Sequence, residues 1–191
     1  MSLVLQSSGG GSVTIAEPST ASNFTATLPA GTGTIAVQGA SSNIVSGTAV
    51  ASTSGTSIDF TGIPSWVKRI TVMFNGVSTN GGSFVIVQLG TPTFTTSGYV
   101  GGAFNGGQTA FSSGFIASQA GGAADLRSGI ATICNLTGNT WVASGATGVN
   151  VGGGSLFGGT VTLGAALTSI RVTTVNGTDA FDAGSINILY E

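Results

Sequence analysis

The chain has 191 residues, enough for one well-cored domain and a small appendage, and only 5% of them are charged, against about 25% in ordinary globular proteins. Its four basic residues, Lys68, Arg69, Arg127 and Arg171, are too few for the clustered positive surface that a phosphate backbone requires, so nucleic acid is not an expected partner. No stretch reaches the roughly 18 uninterrupted apolar residues of a spanning helix, and the opening MSLVLQSSGGG has neither the basic region nor the apolar core of a secretory signal; the expectation is a cytoplasmic product that does not insert into membranes.

Gly, Ser, Thr and Asn take the place of the missing charges, while the apolar fraction stays at 41%. Disordered chains are poor in β-branched apolar residues and carry high net charge, whereas here the formal net charge is −2 and Val, Ile and Thr recur in short runs broken by Gly. That pattern reads as an ordered all-β protein of many short strands and turns. A surface this poor in charge keeps single molecules apart badly, which implies that much of it is covered by other subunits in an obligate oligomer of closed cyclic symmetry.

Residues 1–45 hold two short apolar runs, Val13 to Ala16 and Thr34 to Val37, separated by Pro18 and Pro29. Strands that short bury no core alone, so this segment is expected to pack on another chain and serve as an attachment segment. Residues 46–191 form the expected main domain. Its strands begin at Ser57 to Phe60 and Arg69 to Phe74, the latter with Ile70, Val72 and Phe74 on one face and Asn75-Gly76 as a turn. Phe84 to Leu89 (FVIVQL) suits a strand covered on both faces, with a neighbouring subunit as the second cover. Gly98 to Gly122 carries Tyr99, Phe104, Phe111 and Phe115 among its glycines and is read as long loops with aromatic anchors. Strands follow at Ile130 to Leu136, Thr140 to Ala143 and Thr160 to Leu163, with a hairpin turn at Gly138-Asn139. The chain closes with Ile170 to Val175, the turn Asn176-Gly177, a loop or edge piece from Thr178 to Gly184, and the alternating strand Ser185 to Tyr190. Eight or so strands at this spacing predict a β-sandwich, which a jelly roll is one way to close, without a helix of normal length.

Three stretches, GTSIDFTGIPSWVKRITVMFNGVSTNGGSFVIVQLGT (55–91), NLTGNTWVASG (135–145) and SIRVTTVNGTDAFDAGSINILYE (169–191), resemble the carboxy-terminal domain of tailed-bacteriophage tail-fibre and virion structural proteins. The segment SVTIAEPSTASNFTATLPAGTGTIAV (12–37), above all Ala26 to Thr34, is similar to a short module recurrent in phage tail proteins. The resemblance implies a virion location, a jelly-roll-like sandwich with a short extended β segment before it, and an intertwined homotrimer. Its implied partners are its own copies, other virion proteins, and a host surface glycan or protein. A capsid decoration protein that stabilises the shell is the alternative, and a glycan depolymerase the third.

Histidine is absent, which removes the usual general base, the Ser-His and Cys-His pairs and the commonest transition-metal ligand. No catalytic residue, metal site or cofactor is therefore expected. Paired carboxylates could still cut glycosides, but Asp179 and Asp182 form the only close pair and lie after an Asn-Gly turn, where acidic residues are usually surface turn formers. Cys134 is alone, so it is expected to be a small buried apolar residue rather than a disulfide or zinc partner. Trp66 and Trp141 are both expected in the core, Trp66 as a plug at one end of the sandwich. Tyr99, Phe104 and Phe111, in the Gly-rich middle, are the candidates for receptor or partner contact, with packing against a neighbouring subunit as the competing reading.

Overall fold

The computed structural model describes residues 2–6, 8–10, 12–16 and 44–191. The chain divides into two compact units, Met1–Ile35 and Ala36–Glu191. In the first, β1 (Ser2–Gln6) and β2 (Ser12–Ala16) pair antiparallel, Leu3 opposite Ile15 and Leu5 opposite Val13. The run at 13–16 is thus a strand, and its partner Ser2–Gln6 was not anticipated; the run at 34–37 lies outside the described residues.

The second unit contains no helix among its described residues. Along the chain come β3 (Val45–Ser46), β4 (Val50–Ala51), β5 (Ser57–Thr61), β6 (Arg69–Thr79), β7 (Val85–Gly90), β8 (Val100–Phe104), β9 (Gln108–Phe111) and β10 (Phe115–Ser118). After them follow β11 (Arg127–Thr137), β12 (Thr140–Val149), β13 (Gly154–Thr162), β14 (Ser169–Thr174) and β15 (Phe181–Tyr190). They build two antiparallel sheets. The smaller has the order β10-β7-β14-β5; the larger runs β3-β15-β6-β11-β12-β13-β8-β9, with β4 also paired to β15. Val45 and Ser46 pair with Tyr190 and Leu189, so the sandwich already includes residue 45.

Period-two alternation decides what lies between the sheets. The larger sheet points Ile70, Val72, Phe74, Ala131, Ile133, Trp141, Ala143, Phe157, Val161, Ile186 and Ile188 inward, and the smaller supplies Ile58, Phe60, Val85, Val87, Leu89, Ile170 and Val172. Each Val, Leu, Ile or Phe among them gains about 1.5–3 kcal/mol from leaving water. The result is an all-β sandwich with one apolar core.

Glycine explains two departures from the sequence reading. Asn75-Gly76 is not a turn: β6 runs on to Thr79, and two residues of β6 (75 and 76) stand against the single Ser128 of β11, between the pairs Phe74–Gly129 and Val77–Arg127. Gly76 takes φ 61° in this bulge and donates its N–H to Ser128 Oγ at 2.9 Å. The stretch 98–122, expected as loops, contains three strands. Here glycines make room for rings rather than breaking the sheet: a Cβ on Gly159 would stand 2.7 Å from Phe111 Cζ, and one on Gly145 2.6 Å from Phe157 Cε1. The Phe111 and Phe157 rings fill those notches, with Phe115 packed edge-on against both Tyr99 and Phe111. The segment 178–184 is a loop only as far as Ala180, since β15 starts at Phe181.

Candidate functional site

The two sheets treat their outer faces differently. On the smaller sheet the outward side chains Ile86 and Gln88 are still buried. The chain's own loops cover them: Gln88 Nε2 donates to the Ser113 carbonyl at 2.8 Å, and Gly114 lies against Ile86 and Gln88 so closely that a Cβ there would meet both. The strand FVIVQL is therefore covered on both faces, as expected, but by the same chain rather than a neighbour. Arg171, forked onto Asp59 through Nε–Oδ1 and Nη2–Oδ2 bonds of 2.7 Å, lies over the Phe94 ring at 4.1 Å.

On the larger sheet no such cover exists among the described residues. Strand register sets its outward side chains in rows that cross the sheet. One row reads Met73, Ile130, Ala146, Leu156, Phe104, each directly opposite the next on adjacent strands. Ile130, Leu156 and Phe104 are 51%, 60% and 52% exposed. The neighbouring row is Thr71, Thr132, Ser144, Gly158, Gly102, Ala110, and the one beyond it Arg69, Cys134, Val142, Thr160, Val100. Strands β12, β13, β8 and β9 contain no charged residue. Where the bare backbone of Gly102 and Gly158 lies beside Phe104 and Leu156, the face dips into an open groove of about 610 Å³, also lined by Gln108, Thr109 and Ala110. Charge returns towards β6 and β15, where Arg69 pairs with Glu191 and β15 carries the exposed Asp182.

Of the three residues read from sequence as contact candidates, only Phe104 lies on this face. Tyr99 and Phe111 are core residues. Tyr99 is buried with its hydroxyl accepting the Leu89 N–H at 2.7 Å, and burial pushes its pKa up to about 12. Phe111 fills the notch over Gly101 and Gly159. A side chain spent on the core has no area left for a partner, so these two expectations are corrected. Trp141 is in the core as expected, whereas Trp66 is 40% exposed in the turn after Pro64, its ring 6.0 Å from that of Tyr190. Cys134 is not a core residue either: it is partly exposed, on the outward side of β11 opposite Arg69 and Val142.

The sequence reading missed Ile130 and Leu156. Their signal was parity: Ile130 has the opposite phase to the buried Ala131 and Ile133, and Leu156 sits between the buried Ser155 and Phe157.

The acidic pair flanks the start of β15. Asp179 accepts the Ser83 N–H at 2.8 Å and the Asn176 side-chain amide at 2.6 Å, and these bonds hold its carboxyl below the usual range. A glycosidic acid needs the opposite shift. Asp182 is exposed on β15. The described residues contain no group of three or more acidic or Cys side chains able to hold a metal ion.

One buried cation stands out. Arg127, 1% exposed, donates from Nη2 to the Ala120 carbonyl at 2.8 Å and from Nη1 to that of Asp125 at 2.9 Å, tying the 120–125 loop to β11. Burial draws its pKa down, and the nearby Asp125 and Asp182 work against that shift.

No protein-family model, no curated protein and no solved structure matches this chain.

Proposed function

We propose that this chain is a structural subunit of a bacteriophage virion, a tail-fibre or tail-tip protein that works by binding rather than catalysis. The observation that carries the subunit part of the reading is the wide outer face of the larger sheet, apolar along one row and free of charge over four adjacent strands. Protein interfaces are depleted of charge at their centres, and exposed apolar surface of this extent marks an interaction site. The virion part rests on the resemblance of residues 55–91, 135–145 and 169–191 to phage structural domains. In this reading the sandwich is jelly-roll-like: the early strands β6 and β7 pair with the late strands β15 and β14, one such pair in each sheet. Three copies assemble, the segment ahead of β3 attaches them to the virion, and loops at the sandwich ends meet a host surface glycan or protein.

A decoration protein of the capsid is the second reading, and the same face favours it, since a broad uncharged sheet also suits a shell. Immunogold labelling of intact virions with antibodies to the recombinant chain separates the two. Label at the tail end is the expected result; label spread over the head would replace the tail reading by the decoration one, and virions that take no label would end both.

A further inference from the structure

We infer that the outer face of the larger sheet is the surface by which copies of this chain pack on one another, with Met73, Ile130, Ala146, Leu156 and Phe104 as its apolar row. The inference rests on the oligomeric part of the proposed function and adds which face is buried in the assembly.

Size is the first argument. Seven adjacent strands, β15, β6, β11, β12, β13, β8 and β9, at a spacing of about 4.8 Å and with their observed lengths span roughly 900 Å² of face, close to the ~800 Å² that each partner buries in a standard interface. Charge is the second. A partner bearing Lys or Asp opposite this surface would lose their hydration without gaining a counter-charge. The same chain offers what a neutral face requires, because residues 70–124 and 128–170 include no Asp, Glu, Lys or Arg. The third is geometry. The apolar side chains occupy a single level along the strands, one from each of β6, β11, β12, β13 and β8. When three such sheets face a common axis, their rows meet at that level and close an apolar layer around it. Ser, Thr and Gly in the neighbouring row let the backbones approach. The groove at Gly102 and Gly158 gives a protruding side chain of the adjacent copy a place to enter.

Phe104 then serves subunit contact, which leaves host recognition to the loops at the sandwich ends. Cys134 becomes a reporter, because its partly exposed thiol lies on this face and would be covered in the assembly.

The test is light scattering on the full chain, on Leu156→Glu and Ile130→Glu, and on Thr61→Glu as a control on the outer side of the smaller sheet. Circular dichroism establishes that each variant is folded. The expected result is an oligomer for the wild-type chain and the control, and a mass reduced to that of one chain for the two face variants. In parallel, Cys134 should react with a thiol reagent several-fold faster in the folded Leu156→Glu chain than in the wild type. A wild-type oligomer whose mass and Cys134 reactivity do not change in the folded face variants would overturn the assignment of the face while leaving the oligomer intact. A wild-type monomer would overturn both.

Discussion

The two sheets share one core yet differ on their outer sides, and loop placement accounts for the difference. The smaller sheet is flanked by the segment around Ser113-Gly114, which folds back over Ile86 and Gln88 of β7, and by Phe94, which lies against Gly90 and Arg171. The larger sheet is joined mostly by tight hairpins, β8 to β9, β11 to β12 and β12 to β13, whose short links cannot reach across its face. Nothing in the described chain covers Ile130, Leu156 and Phe104. A sheet can thus read as apolar on its outer side for two reasons, cover by its own loops or cover by another molecule, and composition alone does not separate them.

Perturbing the shared core should cost most and distinguish the sheets least. Phe115 is fully buried among Tyr99, Phe111 and Phe157. Phe115→Ala is expected to lose about 3–5 kcal/mol of stability through lost burial and the cavity left behind, read by urea unfolding. A smaller loss should appear at high pH. The Tyr99 hydroxyl meets the Leu89 N–H of β7 while its ring packs on Phe115. Because the folded-state pKa of Tyr99 is raised to about 12 from an ordinary value near 10, the stability tied to its neutral form is complete below pH ~10 and is lost as pH climbs towards ~12. That loss amounts to about 2 kcal/mol. Unfolding measured across this window should show the loss in the wild type and not in Tyr99→Phe.

Next in size is a test of the glycine notches. Gly159→Ala would place a Cβ 2.6 Å from the Val100 carbonyl and 2.7 Å from Phe111 Cζ. The expected cost of this overpacking is about 1–3 kcal/mol, whereas Gly107→Ala, in open space, should change little.

The same notches mark where the sequence was legible and where it was not. Strands with plain alternation, Arg69 to Phe74 and Ser185 to Tyr190, were readable because their inward Ile70, Val72, Phe74, Ile186 and Ile188 are large and apolar while Arg69, Thr71, Ser185 and Asn187 between them are polar. So were the turns at Gly138-Asn139 and Asn176-Gly177. The stretch Gly98 to Gly122 was not, because a glycine that yields space to a ring donated from elsewhere looks, locally, the same as one that breaks a strand. Gly101 and Gly159 have meaning only together with Phe111, across more than one strand of the sheet. The aromatic residues of that stretch were misassigned because their partners lie on other strands: Phe111 fills the room that Gly101 and Gly159 leave, Tyr99 packs on Phe115 and meets the Leu89 N–H, and of the three contact candidates Phe104 alone points outward. Asn75-Gly76 shows a second limit, since an Asn-Gly pair fits a bulge as well as a hairpin, and only the pairing of β6 with both β11 and β15 decides between them.

The smallest expected effects sharpen the comparison of the two faces most directly. Gln88 and Thr132 hold matching positions, each outward on an interior strand, but Gln88 is 6% exposed with a bond to the Ser113 carbonyl and Thr132 is only partly covered. Measured in the Leu156→Glu background, where the larger face is expected to lie open, Gln88→Ala should cost about 1–2 kcal/mol for the lost packing and the orphaned carbonyl. Thr132→Ala should stay within about 0.5 kcal/mol. In the assembled wild type the order should tighten, because Thr132 then lies against a neighbouring copy and its truncation acquires a cost that depends on protein concentration. If Thr132→Ala were instead as costly in the dissociated chain as Gln88→Ala, the outer face of the larger sheet would already be covered from within the chain. The contrast between the two sheets would then disappear.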